Sequence, residues 1–199
     1  MRFAVLAVLA ACGAKAAPAH APAPADPVRV EIEQAETAEK ARRHDVARTH
    51  YERAVAAARD PASISFARRE FAETLASWGE YPAAITHYEG ALAARPEDPI
   101  AWHDLGMLRF NQGDAKGAIV ALERSRDLAP KDFRPRRELG VIRWKTGDLA
   151  GATTEYKAML ALELPDRMRT MVEWAVAALA AKQRGEPMPP PPAGGAKPQ

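Results

Sequence analysis

One spacing recurs along this chain with a period of about 34 residues. Its clearest copy lies between Pro99 and Pro130 and reads Trp102, Leu105, Gly106, Phe110, Gly113, Asp114, Ala118, Leu122, Ser125, Pro130. An earlier window repeats it as Phe71, Ala72, Gly79, Ala84, Tyr88, Ala91, Pro96. A later one repeats it as Leu139, Gly140, Gly147, Ala152, Tyr156, Met159, with its proline one place late at Pro165. A fixed period of this length confines the chain to a row of like units, each burying its apolar face on the next. Every proline between Pro61 and Pro165 falls at an expected helix edge, away from interiors where each would cost about 3 kcal/mol. Gly106 and Gly140, with Ala72, are the opposite: small residues inside helices. Glycine there costs about 1 kcal/mol against alanine, which predicts close approach of the second helix of the same unit.

The pattern resembles the tetratricopeptide repeat. The resemblance implies an all-α fold, an α-solenoid of antiparallel helix hairpins closed by a C-terminal capping helix. The repeats fall at 28–61, 65–98, 99–132 and 133–166, with the capping helix at 167–184. Leu105, Leu122, Leu139 and Tyr156 are expected core. The first repeat is degenerate: Ala47, Tyr51 and Ala54 fit, but Gln34 and Ala35 stand where Leu-Gly belongs, and Arg42, Arg43, His44 and Asp45 replace the turn glycine. Its helices are expected at 29–42 and 45–59. Pro61 with Ala62 to Ile64 reads as an insertion before the next helix, at 66–78. In the capping helix, Met168, Met171, Val172, Ala175, Val176 and Leu179 form an apolar stripe at helical spacing. Residues 185–199, with Pro187 and Pro189 to Pro192, read as a disordered, solvated tail.

Composition narrows the function by exclusion. The formal charge of the 199-residue chain is +2, too near neutral to point to nucleic acid or an acidic membrane. The single cysteine forms no internal disulfide, and no His/Cys cluster has metal-ligand spacing. Nucleophile-elbow, phosphate-loop and zinc-hydrolase motifs are missing. The expectation is therefore a non-enzyme without cofactor or metal.

At the start, Met1-Arg2 precedes an apolar run from Phe3 to Ala11, and Leu9-Ala10-Ala11-Cys12 follows. This resembles the bacterial lipobox. The resemblance implies a signal peptide over 1–11, acylation of Cys12, and an Ala/Pro-rich tether over 12–27 holding the folded part roughly 40 Å from its anchor. Gly13, in place of aspartate, favours the periplasmic face of the outer membrane. A soluble cytoplasmic protein with an uncleaved start is the rival reading.

In tetratricopeptide repeats the first helices line a concave groove that binds peptides or partner helices. Carried over position by position, the resemblance places Arg69 there from the second repeat. It adds His103, Met107, Phe110 and Asn111 from the third, and Arg134, Arg137, Val141, Trp144 and Lys145 from the fourth. Met107, Phe110, Val141 and Trp144 would form an apolar floor; Arg69, Arg134, Arg137 and Lys145 would form a basic wall. Glu73 and Met107 occupy places where the family's clamp for C-terminal carboxylates uses asparagine, so that ligand is not expected. The expected role is an adaptor or assembly factor that grips a segment of an envelope protein, in a complex of secretion or pilus type. An accessory protein of peptidoglycan, with Trp144 and Phe110 stacked on sugars, is the alternative.

Overall fold

The computed structural model describes residues 26–192, so Cys12 and the signal and most of the tether lie outside the described residues. Within them the chain is all helical. The helices are α1 (Pro27–Lys40), α2 (His44–Ala57), α3 (Pro61–Ser77), α4 (Tyr81–Ala94), α5 (Pro99–Asn111), α6 (Ala115–Leu128), α7 (Phe133–Lys145), α8 (Leu149–Leu160) and α9 (Asp166–Arg184). They pair as hairpins in chain order, and each hairpin packs on the next. The all-α solenoid that the resemblance to the tetratricopeptide repeat implies is the fold observed.

An aspartate starts the first helix of each hairpin. Carboxylates of Asp26, Asp60, Asp98 and Asp132 accept from the backbone N–H of Val28, Ala62, Ile100 and Arg134 at 2.9 to 3.0 Å. Each satisfies a donor the helix cannot pair internally. After three of these caps comes a proline at the first helical position, where its missing N–H costs nothing. Asp60 also forms a capping box with Ser63. As a result the residues expected to be an insertion, Pro61 to Ile64, are wound into α3 as its first turn. That helix runs 17 residues against 13 in α5 and α7.

The hairpin turns use the left-handed conformation. Gly79, Gly113 and Gly147 have φ of 80°, 83° and 89°. In the degenerate first hairpin Arg42 fills that role at φ 57°, a region that costs a side-chain-bearing residue about 1–2 kcal/mol.

Small residues let the paired helices close up. A Cβ on Gly106 would lie 2.7 Å from Leu122 Cγ, and one on Gly140 would lie 2.6 Å from Tyr156 Cζ. The core is a run of alanines and single large residues: Leu75, Leu105, Leu122, Leu139, Ile142, Met159 and Leu179 are all essentially inaccessible. One charge sits inside. Glu155, its side chain 3% exposed, accepts from Arg126 at 2.7 Å, Arg143 at 3.0 Å and Arg136 at 3.1 Å. The third and fourth hairpins are therefore joined by an ionic centre as well as by apolar packing. None of the described helices is long and apolar enough to cross a membrane.

Candidate functional site

Consecutive first helices touch one another, α1 against α3 and α5 against α7, which puts them on the inner side of the stack. Along this face the character changes from one end to the other.

The upstream half is acidic. Arg69 on α3 lies 3.1 Å from Glu70, 3.8 Å from Glu73 and 3.7 Å from Asp98. Burial, then the neighbouring Glu70, raises the Glu73 carboxyl above its ordinary range. His103 on α5 holds Asp104 through Nδ1 at 2.9 Å. Arg134, at the start of α7, turns back onto Asp132 at 2.7 Å; those hydrogen bonds hold the Asp132 carboxyl below its usual range. The expected basic wall is corrected here. Arg69 and Arg134 are paired with nearby carboxylates, Glu70 on the same helix and the caps Asp98 and Asp132, and neither lines the cleft onto which Arg137 and Lys145 open. Met107 is half-buried in α5, and Asn111 is exposed at its last position. Neither enters the cleft described next.

The downstream half is an apolar cleft of about 1040 Å³ between α7 and α9. Arg137, Val141, Trp144 and Lys145 of α7 line one side, with Tyr156 of α8 beneath. Arg137 and Trp144 thus open onto the same cavity. The Tyr156 phenol is pushed up to about 12 by burial and then by Glu138, so it is a neutral part of the floor. Met168, Met171, Val172, Trp174 and Ala175 of α9 form the facing side. The two indoles approach with centroids 6.2 Å apart and planes tilted by 32°. Phe110 reaches the edge only through Lys145, whose ammonium lies 5.7 Å above its ring; the ring itself packs on the core around Leu122, Leu139 and Ile142. Arg137 also donates to Glu138 at 2.8 Å.

The third side is the chain's own C-terminal segment. Gly185, at φ 74°, ends α9 in the left-handed conformation. The chain then brings Met188 to Pro191 to the cleft. The Trp174 Nε1–H donates to the Pro189 carbonyl at 3.0 Å. The expected disordered tail is thus corrected for this stretch: it is irregular, but it is seated. Residues 193–199 lie outside the described residues.

Sequence reasoning missed Trp174, Met168, Met171 and the Pro189 contact. The stripe on α9 was visible, yet a stripe looks the same whether it is buried or lines a cleft. The available signal was Trp174 itself, a large aromatic just off the stripe and close to a proline run. Among the described residues no group of three or more His, Cys, Asp or Glu is placed to hold a metal ion. What the arrangement offers is a desolvating aromatic surface with an indole N–H donor and cationic edges from Arg137, Lys145 and Lys182.

Residues 69–133 and 103–167 match the profile of the tetratricopeptide repeat. The chain carries tetratricopeptide repeats. Such repeats form a protein-interaction scaffold, not a catalytic fold, and proteins that carry them bind other proteins and peptides. No curated protein matches the chain in sequence. Among solved structures, the MamA protein is 16% identical with a TM-score of 0.68, over 80% of this chain and 84% of that one. YrrB, described as a TPR protein with an unusual peptide-binding site, is 19% identical with a TM-score of 0.63, over 77% and 76%. The first TPR of Spaghetti (RPAP3), bound to an HSP90 peptide, is 18% identical with a TM-score of 0.54, over 60% and 93%. At these identities the likeness is one of fold.

Proposed function

We propose that this protein is an adaptor that holds a segment of an envelope protein in the cleft between α7 and α9, tethered by a lipid on Cys12 to the periplasmic face of the outer membrane. The observation that carries the reading is the cleft itself. Trp144 and Trp174 meet over a cavity of about 1040 Å³ at one end of a tetratricopeptide stack. Paired aromatics rimmed by arginine and lysine have the composition of a binding hot spot. The peptide-bound relative and the relative with a peptide-binding site support a peptide-like ligand on this fold. The LAAC sequence at residues 9–12 supports the anchor, and a second acyl chain would make that anchorage firm.

The test is crosslinking in the native envelope followed by mass spectrometry, comparing wild type with Trp144→Ala combined with Arg137→Glu. Loss of the crosslinked partner with helicity intact supports the adaptor; capture at normal strength refutes the cleft as its site. Labelled palmitate incorporated by wild type and lost in Cys12→Ala supports the anchor, and no label in wild type refutes it.

A further inference from the structure

We infer that the cleft between α7 and α9 is a site for proline-rich extended peptide, and that the chain's own Met188–Pro191, seated along one side of it on Trp174, already holds part of that site as an internal competitor. This rests on the adaptor reading and names the partner's chemistry: a proline-rich segment of another protein.

The seated segment supplies the argument. Glu186, Pro187, Met188 and Pro189 to Pro192 form a run in which five of seven residues lack a backbone N–H. A proline run is preformed as a polyproline helix, with carbonyls that have no intramolecular partner. A groove that receives it must offer aromatic faces for the rings and donors for those carbonyls. Trp174 provides both: its ring lines the cleft, and its Nε1–H is 3.0 Å from the Pro189 carbonyl. Trp144 stands 6.2 Å away, tilted by 32°, so the two indoles present an angled aromatic ledge. Flat-faced proline rings pack on such a ledge with little loss of conformational entropy.

The geometry of the connection explains why the tail reaches this site. Trp174 lies about 15 Å along α9 from Arg184. Gly185 reverses the chain at φ 74°, and four residues of polyproline-like chain cover about 12 Å. That distance brings Pro189 alongside the indole. A tether this short gives the tail an effective concentration of the order of millimolar. A peptide from outside must therefore outcompete it, and only a longer or better-fitting proline segment does so. Met188, 53% exposed, marks the open side by which such a ligand enters.

The experiment uses full-length protein and a labelled peptide with the sequence of residues 186–192. Wild type is compared with a variant carrying Pro189→Ser, Pro190→Ser and Pro191→Ser, and with that variant plus Trp174→Phe. Fluorescence anisotropy is expected to show the peptide binding the serine variant about tenfold or more tightly than wild type. Trp174→Phe, which keeps an aromatic ring but removes the donor, is expected to weaken binding again while circular dichroism is unchanged. Equal affinity of wild type and serine variant overturns the internal competition. No binding to the serine variant overturns the ligand class. If an envelope partner still crosslinks at Trp144 in that case, the adaptor reading stands without it; if capture fails as well, both fall. Self-association of wild type that is abolished in the serine variant would mean the tail binds a second copy, which also overturns internal occupancy.

Discussion

The buried carboxylate of Glu155 on α8 accepts a hydrogen bond from Arg126 on α6 at 2.7 Å, across the boundary between the third and fourth hairpins. Arg143 and Arg136 complete its shell from α7, and Arg143 is held in turn by Glu123. All three guanidinium groups are themselves largely withdrawn from water. The charge therefore fixes how α7 and α8 sit on α6, and with them the wall of the cleft that carries Trp144.

Glu155→Ala should accordingly be among the most damaging single changes in the chain. It takes from Arg136 the carboxylate it pairs with and leaves Arg126 to Asp127 and Arg143 to Glu123, and breaking one partner of a buried ionic set costs about 3–5 kcal/mol. Urea denaturation followed by circular dichroism is the measurement. A loss below about 1 kcal/mol would show that the arginines find water instead.

Arg42 offers a gain. It adopts φ 57° where the later hairpins use glycine, and it is exposed. Arg42→Gly removes a steric cost of about 1–2 kcal/mol and adds backbone entropy to the unfolded chain. The expected net effect is a stabilisation of about 0.5–1 kcal/mol, read as a higher urea midpoint at unchanged slope.

These residues also show what the sequence made legible. The period located the hairpins because register fixes which residues are small and which are large, and Gly140 against Tyr156 is that register expressed as contact. It did not say which of Arg42 to Asp45 would take the left-handed turn, because the inserted turn of α3 shifts the alignment of the first repeat. Arg137, Val141, Trp144 and Lys145 could be placed by position within the repeat. The opposite wall could not, since Trp174 and Pro189 belong to no repeat and meet only through the reversal at Gly185. Arg69 and Arg134 misled for a related reason: their nearest carboxylates, Glu70 and Asp132, stand one and two residues away in sequence, outside the positions by which a repeat assigns its groove.

A pH dependence follows from His87. The ring lies 4.5 Å from Phe71 with Nδ1 buried and unpartnered. Burial, then Arg68, depresses its pKa below the ordinary 6.5, against an opposing pull from Glu52 that exceeds the small further push from Arg48. The unfolded chain therefore binds this proton more readily than the folded one. Stability from this group is complete above pH 6.5 and is lost as pH falls through that value and then through the folded pKa. Unfolding free energy measured from about pH 8 to about pH 5 should fall for wild type relative to His87→Leu. Parallel profiles for the two proteins would contradict it.

The glycines inside helices make a paired test of close approach. A Cβ on Gly140 would meet the Tyr156 ring at 2.6 to 3.0 Å. That ring is buried at the floor of the cleft between α7 and α9, and being a rigid ring on a short stem it can yield only into the cleft. Gly140→Ala should therefore cost about 1–3 kcal/mol through overpacking, despite the helix propensity it gains, and should weaken ligand binding in the cleft by shifting α8 against α7. Gly90 presents the same nominal clash, 2.6 Å, but with the terminal Nη1 of Arg68. A guanidinium at the end of a flexible chain swings aside at little cost, so Gly90→Ala should be neutral or stabilising by up to about 1 kcal/mol. Thermal and urea denaturation of the two variants side by side checks the contrast. Equal effects would mean that the spacing between helices, and not the rigidity of the opposing group, decides where this chain needs glycine.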